Sequence, residues 1–246
     1  MLGFLSGLFG VGGSSIATPL LRLLDVSRLV ALATPLPVTL PTALVGGVTY
    51  WRRGLVDGRV VFWTAVGGIP AVILGAYLTT VVPGRLLMLL TGLFVVAVGI
   101  RLLHKPLAFE GRQTRPAAAS GLLTTVGAGV GLLSGFLANG GGFLLVPAYL
   151  ILFHLEAREA AATSLVAVAL LALPGTLVHW WLGHVDPSLA VLLAIGCVPS
   201  AYLGARTGMA LQGRQARVLF GLFLLTFGLF FLLRTLYRAE VYGWLS

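Results

Sequence analysis

Gly131-Leu132-Leu133-Ser134-Gly135-Phe136-Leu137-Ala138-Asn139-Gly140-Gly141-Gly142-Phe143-Leu144-Leu145-Val146-Pro147 is an apolar run with a break at its centre. The flanks are rich enough in Leu, Val and Phe to lie in lipid. Three adjacent glycines do not sustain a helix, because each costs about 1 kcal/mol relative to alanine. Broken backbone exposed to hydrocarbon leaves polar groups unsatisfied, so a break at this depth has to line protein or a water-filled cavity. The same signature stands near the start of the chain, as Gly3-Phe4-Leu5-Ser6-Gly7-Leu8-Phe9-Gly10-Val11-Gly12-Gly13-Ser14-Ser15, followed by Pro19.

The rest of the chain fits a membrane reading. It has 246 residues, 58% hydrophobic and only 9% charged, where a soluble domain carries about 25% charged residues. A soluble fold of this size has no way to hide that much apolar surface. Each spanning helix needs roughly 20 apolar residues, and seven to eight such segments use up the chain. The runs are approximately 1–24, 29–51, 60–82, 86–103, 116–153, 160–182, 188–211 and 216–236. The single cysteine, Cys197, excludes an internal disulfide and a cysteine metal cluster. The net charge of +9 comes from arginines placed between apolar runs. Anionic headgroups and the positive-inside rule account for most of them, so nucleic acid is not an expected partner.

The two glycine breaks belong to a duplication. A slide of 128 brings Gly3, Ser6, Gly7, Gly12, Gly13 and Pro19 onto Gly131, Ser134, Gly135, Gly140, Gly141 and Pro147. A slide of 129 then aligns residues 33–103 with 162–232 without a gap, and about a third of the positions are identical. Ala33-Thr34 meet Ala162-Thr163, Trp51 meets Trp180, Asp57 meets Asp186, Pro70 meets Pro199, and Gly75 meets Gly204. Chance similarity between apolar stretches yields scattered leucines, not ungapped Gly, Pro, Trp and Asp. The expected organisation is a first repeat at 1–104, a central loop at 105–115, a second repeat at 116–236 and a tail at 237–246. About a dozen residues preceding Gly131 have no counterpart before Gly3, as if the first helix were truncated or naturally short. The expected fold is an all-α polytopic membrane protein with two homologous repeats of about four helical segments, expected to be inverted, and glycine-broken or re-entrant first and fifth helices.

Paired breaks in two repeats mark a transporter's binding site near the midplane. A half-helix opening at a break offers free N–H groups and a positive dipole end to an anion. The alternative is a packing kink without a ligand. The glycine pairs Gly92/Gly99 and Gly221/Gly228 are read differently, as a seam that lets helices approach closely.

The order and duplication of these motifs resemble the TauE/SafE family of sulfite exporters. The Ala162-Thr163-Ser164-Leu165 and Gly183-His184-Val185-Asp186 segments resemble the family's further signatures, so the resemblance covers essentially the whole chain. It implies a bacterial inner-membrane transporter of a small sulfur-containing anion: sulfite, thiosulfate or an organosulfonate such as sulfoacetate. The chain departs from the family pattern at Ser14, Pro35 and Ala138-Asn139. The expected substrate-binding residues are Gly12, Gly13, Ser14 and Ser15 with Asn139, Gly140, Gly141 and Gly142. Thr34, Thr163 and Ser164 are candidate hydroxyl donors, and Arg206 is the candidate counter-charge. No cofactor or metal is expected.

Several polar residues carry two readings. Arg206 lies about 12 Å in from its helix end, either as a fork for an oxyanion or snorkelling to headgroups. His179 is either a proton or anion relay or part of an interfacial aromatic belt. Asp57 and Asp186 read as N-caps. No acid lies mid-membrane, which makes passive anion transport the simplest inference, with His179 the fallback for a proton. An intramembrane hydrolase built on Ser134 and His179 is the distant alternative.

Two topologies compete. If all eight runs cross, the basic residues divide almost evenly between the two sides. If 1–24 and 116–153 instead enter and return at their breaks, Arg52, Arg53, Arg59, Arg101, Lys105, Arg112, Arg115, Arg158, Arg206, Arg214 and Arg217 share one side. Arg22, Arg28, Arg85, Arg234 and Arg238 then share the other. The second arrangement follows the positive-inside rule and makes the halves inverted. The counterargument is that 116–138 alone is long enough to span.

Overall fold

A computed structural model describes residues 2–12, 14, 17–18, 21, 26–80, 93, 96–97, 99–101, 103–104, 120–138, 140–211 and 213–241. Regular structure among them is entirely helical. The helices are α1 (Leu2–Phe9), α2 (Arg28–Ala33), α3 (Pro35–Trp51), α4 (Gly58–Leu78), α5 (Ser120–Phe136), α6 (Gly142–Leu152), α7 (Ala157–Trp181), α8 (Pro187–Ala210) and α9 (Gly213–Val241). The central loop lies outside the described residues. Thr34 keeps helical angles, so α2 and α3 form one rod. Four helices are long and apolar enough to cross a membrane: Leu29–Trp51, Gly58–Leu78, Ala157–Trp181 and Pro187–Ala210.

The exposed surface is apolar. Trp181 is 87% exposed, Ile195 69% and Leu192 68%, whereas Ala33, Ala43, Ala76, Ala162, Ala167 and Ala205 are fully buried. Large apolar residues on the outside, around an interior that holds many alanines beside its larger residues, depart from the soluble pattern. This is the arrangement of a protein whose outer face meets lipid and whose helices gain by close van der Waals approach. The protein is an all-α, multi-pass membrane protein.

The close approaches run between the halves. Gly127, Gly131 and Gly135 on α5 face the backbone of Thr64, Gly68 and Val72 on α4. Gly3 and Gly7 on α1 face the carbonyls of Cys197 and Ala201 on α8. Gly75 lies on the Leu132 carbonyl and Gly204 on that of Phe4. Under the two slides each of these contacts maps onto another: Gly131–Gly68 onto Gly3–Cys197, Gly135–Val72 onto Gly7–Ala201, Gly75–Leu132 onto Gly204–Phe4. The first helix of each half is therefore clasped by the long third helix of the other. In both seams residue numbers rise together, so α4 runs parallel to α5 and α1 parallel to α8. The glycine seam expected from Gly99 and Gly221 is present, since a Cβ at Gly99 would meet the Gly221 carbonyl at 3.2 Å. Gly92 lies outside the described residues.

The counterpart helices α3 and α7 cross in opposite directions. Leu36 touches Gly175, whereas Gly46 touches Leu165 and Gly47 touches Val166. The chain also reverses at the second break. Gly141 lies against Val130 and Ser134 of α5. Two turns later Tyr149 donates to the Thr64 hydroxyl at 3.0 Å, and Thr64 is the residue on which the earlier Gly127 packs. Helix α6 thus runs back along α5. At 11 residues it is only about 16 Å long, half of the roughly 30 Å hydrocarbon thickness.

Candidate functional site

The breaks form where the sequence loses side chains. Gly10 and Gly12 have φ of 73° and 78°, Gly140 and Gly141 of 64° and 75°. Gly12 and Gly140 are repeat mates, so the left-handed turn is duplicated along with the sequence. Ala138, the mate of Gly10, also holds a positive φ of 46°, unusual strain for a residue with a Cβ.

The two breaks meet. A Cβ on Gly12 would lie 3.2 Å from Thr39 Cγ2 and 3.4 Å from Val168 Cγ1. A Cβ on Gly140 would lie 3.0 Å and 3.4 Å from the same two atoms. Thr39 and Val168 are themselves repeat mates on α3 and α7. Gly12 and Gly140 therefore approach the same two side chains. Gly142 lies directly on the carbonyls of Val11 and Gly10.

Ser14 Oγ is 3.5 Å from the point where a Gly140 Cβ would be. Its hydroxyl is fully buried without a hydrogen-bond partner, as is that of Ser6. An unpaired buried hydroxyl costs about 1–3 kcal/mol. Helix α6 begins beside it, with Gly141 at its N-cap and no side-chain cap. Among the described residues the buried polar side chains are hydroxyls and one imidazole, with no carboxylate, lysine or arginine. Nor does any group of three His, Cys, Asp or Glu among them suit a metal ion. Hydroxyls, free N–H groups and a helix N-terminus offer donors and positive potential.

The other expected residues are distributed as follows. Gly13, Ser15 and Asn139 lie outside the described residues. Thr34 and Thr163 are buried, but each is engaged between the halves. The Asp57 N–H donates to Thr163 Oγ1 at 3.1 Å, and the Asp186 N–H donates to Thr34 Oγ1 at 3.0 Å. These two bonds are images of one another under the repeat. Ser164 Oγ donates to the Gly10 carbonyl at 2.9 Å, so it holds the first break in place. Arg206 is not brought to the breaks. It lies on the exposed face of α8, its guanidinium 5.7 Å from the Tyr202 ring centre. The reason is helical phase: Gly204 and Gly208 face α1, and a residue two positions from each points about 200° away.

His179 is fully buried within the protein. Its Nε2 is 3.1 Å from the Gly135 carbonyl and its Nδ1 is 3.3 Å from His184 Nδ1. Its mate Tyr50 reaches the Gly7 carbonyl at 3.4 Å, the mate of Gly135. The sequence reading did not single out Thr39 as part of the site, or Ser6 as an orphan hydroxyl. For Thr39 the only signal was a hydroxyl within an apolar run whose mate is valine.

Residues 1–231 match the family described as "Sulfite exporter TauE/SafE". The chain is 27% identical over 240 residues to the probable membrane transporter protein YjnA of Bacillus subtilis (strain 168), covering 93% of this chain and 94% of that protein. It is 30% identical over 214 residues to a probable membrane transporter protein of Xylella fastidiosa (strain 9a5c), covering 83% and 80%. It is 28% identical over 244 residues to YunE of Bacillus subtilis (strain 168), covering 87% and 88%. No solved structure matches the chain. Proteins of this kind are transporters and not enzymes; facing glycine breaks inside an apolar helical shell are the architecture this chain contributes, and it belongs to the TauE/SafE family of membrane transporters.

Proposed function

We propose that the protein carries a small sulfur-containing anion, such as sulfite, thiosulfate or sulfoacetate, across the bacterial inner membrane. The observation that carries this reading is the orphan Ser14 hydroxyl at the spot where the two breaks face each other. A pyramidal or tetrahedral oxyanion is matched by donors converging from several directions. Gly12 and Gly140 let backbone N–H groups approach it closely, Ser14 and the α6 N–H groups donate, and Thr39 closes one wall. Gly13, Ser15, Asn139 and Gly141 flank the same spot in sequence. Thr34, Thr163 and Ser164 act at one remove, by fixing the backbone that surrounds the spot.

The halves work as inverted repeats. Opposite directions in α3 and α7 support this, as does the return of α6 along α5, which leaves an odd number of crossings per half. Rocking of one half against the other then exposes the spot to alternate sides. The test is uptake into proteoliposomes of sulfite, thiosulfate, sulfoacetate, taurine, sulfate and chloride. Saturable flux of a sulfur anion, lost in G140V, is the expected result. Equal, non-saturating flux of all the anions would favour a channel, and no flux from folded protein would refute the substrate class.

A further inference from the structure

Arg158 differs from the other described arginines at its end of the molecule. The Asp57 N–H donates to Thr163 Oγ1 at 3.1 Å, so α4 and α7 start side by side, with the α3–α4 turn beside them. Arg52, Arg53 and Arg59 are exposed there, and headgroups and water account for arginines of that kind. Arg158 is half-buried, and its Nε–H is closed off from solvent without a hydrogen-bond partner. The carboxylates nearby serve backbone caps. Asp57 accepts from the Arg59 and Val60 N–H groups at 3.0 and 3.1 Å. Glu156 and Glu159 form the capping box of α7.

The face of α7 that carries Arg158 leads to the breaks. Arg158, Ala161, Leu165 and Val168 stand at i, i+3, i+7 and i+10, so they share one face. Ala161 lies directly on Gly10, and Val168 is approached by both Gly12 and Gly140. Arg158 is about 15 Å along the helix from Val168. It therefore does not touch an anion held at the breaks, but stands over the way in. Its charge acts on the Tyr50 phenol. That phenol closes the gap between α1 and α8: it donates to the Gly7 carbonyl at 3.4 Å, and a Cβ on Gly208 would collide with it. The second slide, extended back along the chain, pairs Arg158 with Leu29, which is 45% exposed. The opposite end has no charge in the equivalent place.

From this geometry we infer that Arg158 is an anion-capture residue, a second binding position that a small oxyanion occupies between the basic end and the breaks. The edge of a guanidinium formed by Nε–H and one Nη–H matches two oxygens of one anion side by side. A sulfite, thiosulfate or sulfonate group offers that pair of oxygens, and chloride does not. Because the Nε–H lies beneath the protein surface, an anion on this edge has already left bulk water. A lipid headgroup reaches only the outer tip of the side chain. Movement of the Tyr50 phenol away from Gly7 opens the edge toward the first break.

The inference rests on the anion-transport reading, and the experiment separates the two. Purified protein in phosphatidylcholine vesicles is treated with phenylglyoxal, and modification of Arg158 is followed by peptide mass. Thiosulfate is expected to slow the modification severalfold, and chloride at equal ionic strength to leave it unchanged. S14A, impaired at the breaks, is expected to keep this protection. For thiosulfate presented to the basic end, R158Q is expected to raise the KM of flux about tenfold. R158K keeps the charge without the fork and is expected to fall between the two. Flux without protection, or an unchanged KM in R158Q, would overturn the capture position and leave Arg158 as a complement to the C-terminal carbonyls of α1. Protection conferred by added phosphatidylglycerol and not by thiosulfate would overturn it in favour of a headgroup. If no sulfur anion is carried, the transport reading fails on its own. Protection of Arg158 by thiosulfate would then still support an oxyanion position, and its absence would overturn that as well.

Discussion

Ser14 separates stability from function. Its hydroxyl is buried without a partner, so removing it relieves a desolvation cost of about 1–3 kcal/mol while deleting a donor to the bound anion. S14A is expected to raise the unfolding midpoint of the purified protein, yet raise the KM for anion uptake about tenfold, the effect of roughly 1.4 kcal/mol. A KM that does not move would remove Ser14 from the site. Gly140 fails in two ways when substituted. Its φ of 64° costs an L-residue about 1–2 kcal/mol, and the new Cβ would lie 3.0 Å from Thr39 Cγ2. T39S deletes that methyl group and keeps the hydroxyl. G140A is expected to lose most of its flux, and G140A/T39S to regain the steric share of it but not the conformational one. Additive losses in this cycle would place Thr39 away from Gly140.

At the scale of elements, two mirrored hydrogen bonds join the halves at opposite ends of α3 and α7, besides the glycine seams. Thr163 secures the end that carries Asp57, and Thr34 secures the end that carries Asp186. Valine keeps the shape of threonine but leaves a buried N–H unpaired, at about 1–3 kcal/mol. T163V and T34V are therefore expected to bias the molecule in opposite directions. The readout is labelling of S14C, in a C197A background, by an impermeant thiol reagent added on either side. Each variant is expected to speed labelling from its own end about tenfold, and equal effects from both sides would show that the bonds are not end-specific. The sequence alone was enough to read the all-helical apolar architecture and the N-capping aspartates, because these follow from local composition and spacing. It also located the breaks, since adjacent glycines in an apolar run have few other readings. The partners of Thr34 and Thr163 were not legible. A hydroxyl at a helix start looks like a ligand donor until an N–H from more than a hundred residues away is seen to occupy it. Which of the two readings of Arg206 fits the fold was not legible for a related reason. Depth along a helix can be counted from the sequence, but which face is buried depends on which helix packs there.

Across the whole molecule, the loops sort by charge. Helices α4 and α7 run in the same direction, since each is antiparallel to α3, and their starts meet through Asp57 and Thr163. Arg52, Arg53, Arg59 and Arg158 therefore gather at one end. The Gly183–Asp186 turn, with Thr34 beside it, lies at the other. Because α6 doubles back along α5, the α6–α7 loop rejoins the basic end rather than crossing. The positive-inside rule predicts that this end is cytoplasmic. In a C197A background, single cysteines at Gly54 and His154 are expected to be labelled from the cytoplasmic side only, and one at Gly183 from the opposite side only. The position of His154 discriminates. If the broken segment crossed the bilayer, His154 would lie opposite Gly54, Gly183 would share the side of Gly54, and the halves would be parallel. A parallel pair would leave the two breaks facing the same way, with no second state for the mirrored threonine bonds to secure.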